Sequence, residues 1–253
     1  MISKAFVNLL GTKLNPFAFS EALETLSQMV ESKGFICHLN VHTVMTAFFN
    51  ENYRQALNSS LISFTDGMPL VWFTRLMHQK TDRVYGPFFM RDVLRTDKKF
   101  KHFFLGTTDA VLHKMILKVK ELNPDIQIVG SYSPPFVKEF SEDENQKMIK
   151  LCNESGADIV WIGLGAPKQE LWAAKHQNQI KALLVPNGAA FPFLSGDLKQ
   201  APPLIQKTGL EWFFRLLIEP KRIWKRYLLN PLFVGLLFLQ LIGVLKPKPI
   251  KSF

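Results

Sequence analysis

Residues 158–176 decide the fold, and they read Asp-Ile-Val-Trp-Ile-Gly-Leu-Gly-Ala-Pro-Lys-Gln-Glu-Leu-Trp-Ala-Ala-Lys-His. The apolar run over 158–162 predicts a buried strand, and the segment from Pro167 to His176 predicts a helix. Gly163 and Gly165 lie between the two, so we expect a sharp strand–helix turn. Pro167 suits the first turn of the helix, because proline lacks the N–H group that the first turn leaves unpaired.

The same alternation continues on both sides of this stretch. Further strands are predicted at residues 35–40, 101–105, 126–129 and 182–185. Further helices are predicted at residues 43–57, 109–122 and 142–152. Continuous apolar strands that alternate with helices are typical of a mostly parallel sheet with helices on both faces. In such α/β folds, ligands bind at the carboxyl ends of the strands.

Composition excludes several classes of protein. The chain has 253 residues, of which 47% are hydrophobic and 21% are charged, which excludes a disordered or fibrous protein. Its two cysteines, Cys37 and Cys152, exclude a disulfide scaffold and a four-cysteine zinc site. The first residues contain no long apolar core followed by a cleavage site, so we expect a mature cytosolic N-terminus.

Basic residues concentrate towards the C-terminus. The net charge is +10, and the segment from Asp197 onward holds ten Lys and Arg against three Asp and Glu. We therefore expect an α/β core over 1–195 and a basic helical appendage over 196–253. Such a patch favours phosphate, as in a diphosphate substrate, an anionic lipid or nucleic acid. No recognised nucleic-acid module accompanies it, so we expect no nucleic-acid partner.

An uncharged run over 227–245 is followed by Lys246, Lys248 and Lys251. As a helix it is about 28 Å long, which is marginal for crossing a bilayer. Basic residues flank both ends, and a crossing would place one basic cluster outside, against the usual bias. We expect a helix that lies in one leaflet of the membrane. The alternative is a buried helix that closes the core.

Three features suit chemistry, and each has a structural alternative. Asp66 ends a predicted strand, where a carboxylate suits a general base, although a turn or capping Asp is commoner. The turn at Gly163 and Gly165 suits an anion at a helix N-terminus, or is only a tight turn. Arg83 suits a phosphate or a carboxylate partner, or is a solvated surface residue.

Other catalytic patterns are missing from the sequence. There is no Asp-x-Asp and no Gly-x-Ser-x-Gly. His38 and His42 are four residues apart, but a predicted strand–helix junction separates them and argues against a metal pair. The acidic run 142–144 suits the solvated first turn of a helix. We therefore expect no metal site and no cofactor.

Six stretches taken together resemble the bacterial WecG/TagA/CpsF glycosyltransferases. Their shared order along the chain, from about residue 35 to 228, is a specific signature. The stretches are Asn40-Val-His-Thr43, Asp66-Gly-Met-Pro-Leu-Val-Trp72, Arg83-Val-Tyr-Gly-Pro87, Ser133-Pro-Pro-Phe136, Gly163-Leu-Gly-Ala-Pro-Lys-Gln-Glu170, and Glu211-Trp-Phe-Phe-Arg215 with Glu219-Pro-Lys-Arg222.

The resemblance implies a Rossmann-like α/β core whose C-terminal appendage meets the membrane and completes the active site. It implies an inverting, metal-independent enzyme, peripherally attached to the cytoplasmic face of the cell membrane. Such an enzyme moves an N-acetylmannosamine-type sugar from a UDP donor to a polyprenyl-diphosphate-linked sugar, in teichoic acid or other surface polysaccharide synthesis. Two alternatives stay open, namely a different UDP-sugar donor, and an inactive membrane-associated nucleotide-binding protein.

Carried over by motif, the resemblance implies that Asp66 is the catalytic base and that Arg83, also catalytic, lines the pocket with Gln169. The substrate-binding residues that it implies are His38, Asn40, Gly163, Gly165, Gln169, Glu170, Arg215, Arg222 and Arg226. Three positions depart from the family pattern, since His38 replaces a usual Thr, Phe88 a common acidic residue and Gln200 a usual Arg. These departures leave the donor sugar open.

Overall fold

The structure, a computed structural model, describes residues 5–77, 79–198 and 229–250. In chain order the strands are β1 (Val7–Leu9), β2 (Thr12–Leu14), β3 (Gly34–Leu39), β4 (Ile62–Thr65), β5 (Lys101–Gly106), β6 (Gln127–Tyr132), β7 (Ile159–Gly163) and β8 (Leu183–Pro186). The helices are α1 (Phe19–Glu24), α2 (Leu26–Ser32), α3 (Val41–Phe49), α4 (Glu51–Asn58), α5 (Met68–Leu76), α6 (Gly86–Thr96), α7 (Asp109–Leu122), α8 (Glu142–Glu154), α9 (Lys168–His176), α10 (Ala190–Leu194) and α11 (Leu229–Leu241).

Six strands form one sheet in the order β4-β3-β8-β7-β5-β6, and all neighbouring pairs are parallel. This confirms the predicted α/β class with a mostly parallel sheet. The predicted strand boundaries agree with the observed ones to within a few residues. Every strand of this sheet ends at the same edge, so the turns that follow the strands lie side by side there.

Helices cover both faces of the sheet, as the apolar strands predict. Alternate residues of β3 show the division, because Phe35 and Cys37 contact one core while Ile36 contacts the other. The first core includes residues of α3, α4, α8, α9 and α11. The second includes residues of α1, α2, α6, α7 and α10. The two layers cover the sheet from both sides, and only the edge strand β6 has no buried residue.

The predicted single helix over 43–57 is wrong, because the chain breaks at Asn50. Asn50 has an extended backbone, with φ −123° and ψ 108°, and it ends α3 and begins α4. Its side chain caps α4 by accepting a hydrogen bond from the Tyr53 N–H at 3.0 Å. The break turns α4 so that Tyr53 and Leu57 enter the core.

An N-terminal hairpin was not predicted from the sequence. Strands β1 and β2 pair antiparallel through a two-residue turn at Leu10 and Gly11, which both have positive φ. This is the geometry of a tight hairpin turn, and the glycine is its sequence signal. Asn15 extends the contact to the sheet, since its N–H donates to the Ser63 carbonyl at 2.8 Å.

Helix α11 packs against the core and the N-terminal hairpin. Phe233 is only 1% exposed and belongs to the core on the α3 side of the sheet. Gln240 pairs with the hairpin at both ends of its amide. Its oxygen accepts from the Leu10 N–H at 2.8 Å, and its nitrogen donates to the Asn8 carbonyl at 2.7 Å. Two hydrogen bonds therefore connect α11 to the hairpin.

No helix in the described part of the chain combines the length and the apolar character that a membrane crossing requires. Helix α11 ends at Leu241, short of the predicted limit of 245. The predicted boundary near residue 195 falls close to the segment 199–228, which lies outside the described residues. The division into a core and an appendage stays a prediction.

Replacing Phe233 by Ala should lower the free energy of unfolding by about 3–5 kcal/mol, because it opens a cavity in the core. Phe238, on the same helix, is 59% exposed, and its change to Ala should cost no more than about 0.5 kcal/mol. Urea denaturation of both variants measures the difference. Equal losses would contradict the packing of α11 described above.

Candidate active site

Asp66 and Arg83 form a pair at the carboxyl end of the edge strand β4. Asp66 directly follows β4, and its N–H donates to the Leu39 carbonyl at 2.7 Å. Arg83 Nε donates to the Asp66 backbone carbonyl at 2.6 Å, and one of its terminal nitrogens lies 3.9 Å from Asp66 Oδ1. The two side chains are 14% and 21% exposed, respectively. The structure thus brings together the predicted base and the predicted cation.

The Arg83 guanidinium also lies over the ring of Tyr85, 4.2 Å from its centroid. Stacking on an aromatic ring and a backbone hydrogen bond together restrict the side chain to one orientation. Arg83 is therefore ordered by its surroundings, which excludes the alternative of a freely solvated surface residue.

Asn40 follows the neighbouring strand β3 and caps the N-terminus of α3. Its side-chain oxygen accepts from the Thr43 N–H at 3.2 Å, and Thr43 Oγ1 accepts from the Asn40 N–H at 2.8 Å. These bonds satisfy two backbone N–H groups at the start of the helix. Gly67 packs closely, because a Cβ added there would lie 3.4 Å from Asn40 Cβ. Asn40 thus borders the turn that carries Asp66.

His38 lies one residue before the end of β3, in an apolar setting. Its ring packs against Phe64 and Phe89, with centroids 5.3 Å apart in each case. Nδ1 donates to the Val84 carbonyl at 3.1 Å, which links β3 to the Arg83 segment. Burial lowers the pKa of His38 to about 4, and the hydrogen bond to Val84 offsets only part of this effect. At neutral pH the ring carries no charge.

The glycine turn after β7 lies at the same edge of the sheet, two strands away from β3. Gly163 is tightly enclosed, since an added Cβ would meet the Phe191 ring at 2.9 Å. Gly165 has φ +80°, a conformation that side chains rarely adopt. Helix α9 begins three residues later at Lys168. The turn therefore needs glycine at both positions, one for space and one for backbone conformation.

Gln169 and Glu170 are both buried in the first turn of α9. Gln169 Oε1 accepts from the N–H groups of Gly165 at 3.1 Å and Gly188 at 3.0 Å. Gln169 Nε2 donates to Glu170 Oε1 at 2.8 Å, and the Tyr53 hydroxyl donates to Glu170 Oε2 at 3.2 Å. Burial raises the pKa of Glu170, and the hydrogen bonds it accepts oppose that rise without cancelling it.

Asn187 is a functional candidate that the sequence analysis missed. It follows β8, and its side-chain nitrogen donates to the Gly86 carbonyl at 2.7 Å, at the start of α6. Its own N–H donates to the Ile162 carbonyl at 2.8 Å. The signal was available in Pro186-Asn187-Gly188, a turn sequence directly after a buried strand.

The predicted site residues therefore form two groups at one edge. His38, Asn40, Asp66 and Arg83 lie at the ends of β3 and β4, and Gly163, Gly165, Gln169 and Glu170 lie at the end of β7. Strand β8 lies between β3 and β7. The N-termini of α3, α5 and α9 begin at the same edge and favour negative charge there. The predicted phosphate ligands Arg215, Arg222 and Arg226 lie outside the described residues.

In the described part of the chain, the predicted site residues form no cluster of metal ligands and do not line an open depression beside α5. Within residues 5–77, 79–198 and 229–250, no three His, Cys, Asp or Glu side chains converge as metal ligands. An open depression of about 500 Å³ contains none of the predicted site residues. Its lining comprises Ala18, Arg75, Gln79, Lys80, Thr81 and Asp82.

A sequence model described as the glycosyl transferase WecG/TagA/CpsF family matches residues 7–246. The chain belongs to this family. The match covers both groups of the candidate site and confirms the resemblance drawn from six short stretches. WecG/TagA/CpsF proteins are glycosyltransferases, so the carboxyl edge of the sheet is the candidate active site of a sugar-transferring enzyme.

Three similar proteins are named N-acetylglucosaminyldiphosphoundecaprenol N-acetyl-beta-D-mannosaminyltransferase. The protein of Bacillus spizizenii strain W23 is 32% identical over 222 residues, covering 86% of this chain and 83% of its own. The protein of Bacillus subtilis strain 168 is 30% identical over 200 residues, covering 78% of this chain and 75% of its own. That of Staphylococcus aureus strain NCTC 8325 is 25% identical, covering 87% of each chain.

The pKa of His38 predicts a pH dependence of stability. Above about pH 6.5 the ring is neutral in both the folded and the unfolded chain. Between about pH 6.5 and about 4, the unfolded chain binds a proton that the folded chain does not. The free energy of unfolding should therefore fall by about 2 kcal/mol from pH 7 to pH 5 through this group.

The variant His38→Thr, which carries the usual family residue, should not show this fall in the free energy of unfolding between pH 7 and pH 5. Urea denaturation of both proteins at pH 7 and pH 5 gives the comparison, and other titrating groups cancel between them. An identical pH dependence in the two proteins would show that His38 is protonated as easily in the folded as in the unfolded state.

Proposed function

We propose that this chain transfers N-acetylmannosamine from a UDP-linked donor to N-acetylglucosamine carried on a polyprenyl diphosphate. The names of the relatives supply the transferred sugar and the acceptor. The observation that carries the proposal is the Asp66–Arg83 pair at the carboxyl end of β4, beside the N-termini of α3 and α5. It offers one proton acceptor and several groups that stabilise negative charge.

In the proposed reaction, Asp66 accepts the proton of the acceptor hydroxyl while that oxygen attacks the anomeric carbon of the donor. The bond from that carbon to the diphosphate breaks, and UDP leaves with the electron pair. Attack from the face opposite the leaving group inverts the anomeric configuration. The carboxylate gains a proton that it then releases to solvent, so the enzyme returns to its starting state.

The leaving UDP gains negative charge as the bond breaks, and groups already in place for that charge lower the barrier. Arg83 and the N-terminal amides of α5 and α9 supply positive charge from the described residues. Arg215, Arg222 and Arg226 would add more from the appendage. In this proposal these groups do the work that a metal ion does elsewhere, and the reaction is metal-independent.

We further propose that the enzyme attaches to the inner face of the cell membrane through its C-terminal segment. Helix α11 exposes apolar side chains, and Lys246 and Lys248 follow it. Exposed apolar side chains of α11 are Leu232, Val234, Phe238, Leu239 and Leu241, and Ile242 and Val244 continue this surface just after the helix. An apolar surface beside basic residues suits the interface of an anionic membrane, where the lipid-linked acceptor resides.

Asp66→Asn should fold normally and lower turnover by about 10²–10⁴-fold, because the general base is lost. The assay uses a short-chain diphospholipid acceptor and a panel of UDP-sugars, with N-acetylmannosamine expected to be the preferred donor. Asp125→Asn, at the amino edge of the sheet, is the control and should keep wild-type turnover. Wild-type activity should also persist in a strong chelator.

Near-normal turnover of the Asn variant would remove Asp66 from the chemistry. Preference for another UDP-sugar would change the donor and keep the reaction class. Absence of turnover with every donor, together with retained nucleotide binding, would favour the inactive nucleotide-binding protein.

Replacing Val234, Phe238 and Ile242 together by Ser should weaken binding to anionic vesicles by at least about tenfold. Each such side chain contributes roughly 1.5–3 kcal/mol when it is fully buried in an apolar phase. Turnover with a water-soluble acceptor should be kept. Leu117→Ser with Leu122→Ser removes exposed apolar side chains from α7 and should leave sedimentation with vesicles unchanged. Undiminished binding of the triple variant would mean that α11 is not the membrane contact.

A further inference from the structure

The Gln169 carboxamide joins two turns that come from different strands. Gly165 follows β7 and Gly188 follows β8, and both N–H groups donate to the same oxygen, Gln169 Oε1. The contact is close, because a Cβ added to Gly188 would lie 2.7 Å from that oxygen and 3.3 Å from the Gly165 nitrogen. The amide therefore holds the two glycine turns side by side at the centre of the carboxyl edge.

The hydrogen-bond partners of the Gln169 carboxamide fix its orientation. A carboxamide has a donor end and an acceptor end of nearly the same shape, so its neighbours decide which end points where. The backbone N–H groups of Gly165 and Gly188 can only donate, so the oxygen of Gln169 must face them. Its NH₂ group then faces Glu170 Oε1, at 2.8 Å.

Tyr53 completes the arrangement from a different helix. Its hydroxyl donates to the second carboxylate oxygen of Glu170 at 3.2 Å, and Tyr53 itself is 1% exposed. A buried carboxylate is costly unless its oxygens accept hydrogen bonds. Tyr53 and Gln169 each supply one hydrogen bond. The series of hydrogen bonds from Tyr53 in α4 to the two glycine turns is therefore formed entirely within the protein.

We propose that Tyr53, Glu170 and Gln169 are positioning residues that hold the turns at Gly165 and Gly188 in the geometry that binds the diphosphate of the sugar donor. The inference rests on the proposed function and deepens it. Substrate contacts come from the N-terminus of α9 and from backbone groups of the turns other than the Gly165 and Gly188 N–H groups, which donate to Gln169, and not from the Gln169 side chain. Both ends of that side chain are already used within the protein.

An exchange of the two side chains tests this inference. Gln169→Glu alone places two carboxylates face to face and should raise the KM for the UDP-sugar by roughly tenfold or more, with the KM for the acceptor little changed. In the double variant Gln169→Glu with Glu170→Gln, the new carboxylate accepts from both glycines and from the new amide. That amide accepts in turn from Tyr53, so the donor KM should return to within about threefold of wild type.

Rescue by the double variant is the decisive outcome, because volume and net charge are the same as in the wild type. A direct ligand role for Gln169 gives the opposite result, since a carboxylate at position 169 would repel the donor diphosphate in both variants. A double variant as impaired as the single one would therefore overturn the inference. Gln177→Glu, which adds the same charge at the other end of α9, is the control and should leave both KM values unchanged.

Two further measurements separate this inference from the proposed function. Tyr53→Phe is the mildest change and should raise the donor KM about threefold while the protein stays folded; equal effects on both KM values would count against the inference. Hydrogen exchange of peptides that contain Gly165 and Gly188 should accelerate in Gln169→Glu and return to normal in the double variant. Hydrogen exchange needs no turnover, so it tests the positioning role of Tyr53, Glu170 and Gln169 even if no UDP-sugar proves to be a donor.

Discussion

Burial of the central sheet on both faces is the constraint on which the rest of the structure depends. All residues of β4 and β8 are buried, and only Gly163 of β7 is partly accessible. A strand that is covered on both faces cannot present side chains to a ligand along its length. Chemistry is therefore confined to the turns at the strand ends. Because the strands are parallel, those turns and the N-termini of the following helices share one edge and one sign of electrostatic potential.

Much of the sheet could be predicted because its strands carry a continuous apolar signal. The stretch 158–162 and the run Leu183–Val185 have no polar residue after the first position, and they form central strands. Local signals failed where tertiary contacts decided the outcome. The break at Asn50 splits a segment with uniform helical character, and it is stabilised by a cap and by burial of Tyr53. The hairpin of β1 and β2 is too short to stand out from its surroundings.

The candidate site was predicted by motif, and the structure changes how its parts are understood. Asp66 and Arg83 are adjacent in space although 16 residues separate them in the chain, which supports their pairing as base and cation. Gln169 and Glu170 also lie at the edge, but both side chains are buried and hydrogen-bonded to other residues of the protein. No sequence pattern distinguishes a side chain that touches substrate from one that holds the residues that do. Asn187 and Tyr53 escaped notice because their importance depends on partners about 100 residues away or more.

The amide of Gln240 has a consequence for the order in which the molecule is made. Its partners, Leu10 and Asn8, are synthesised 230 and 232 residues before it. Since N-terminal segments of a chain fold first during synthesis, the Leu10 N–H and the Asn8 carbonyl bond to water until α11 has been synthesised. The contact between the hairpin and α11 is therefore one of the later contacts of the described fold to form during synthesis.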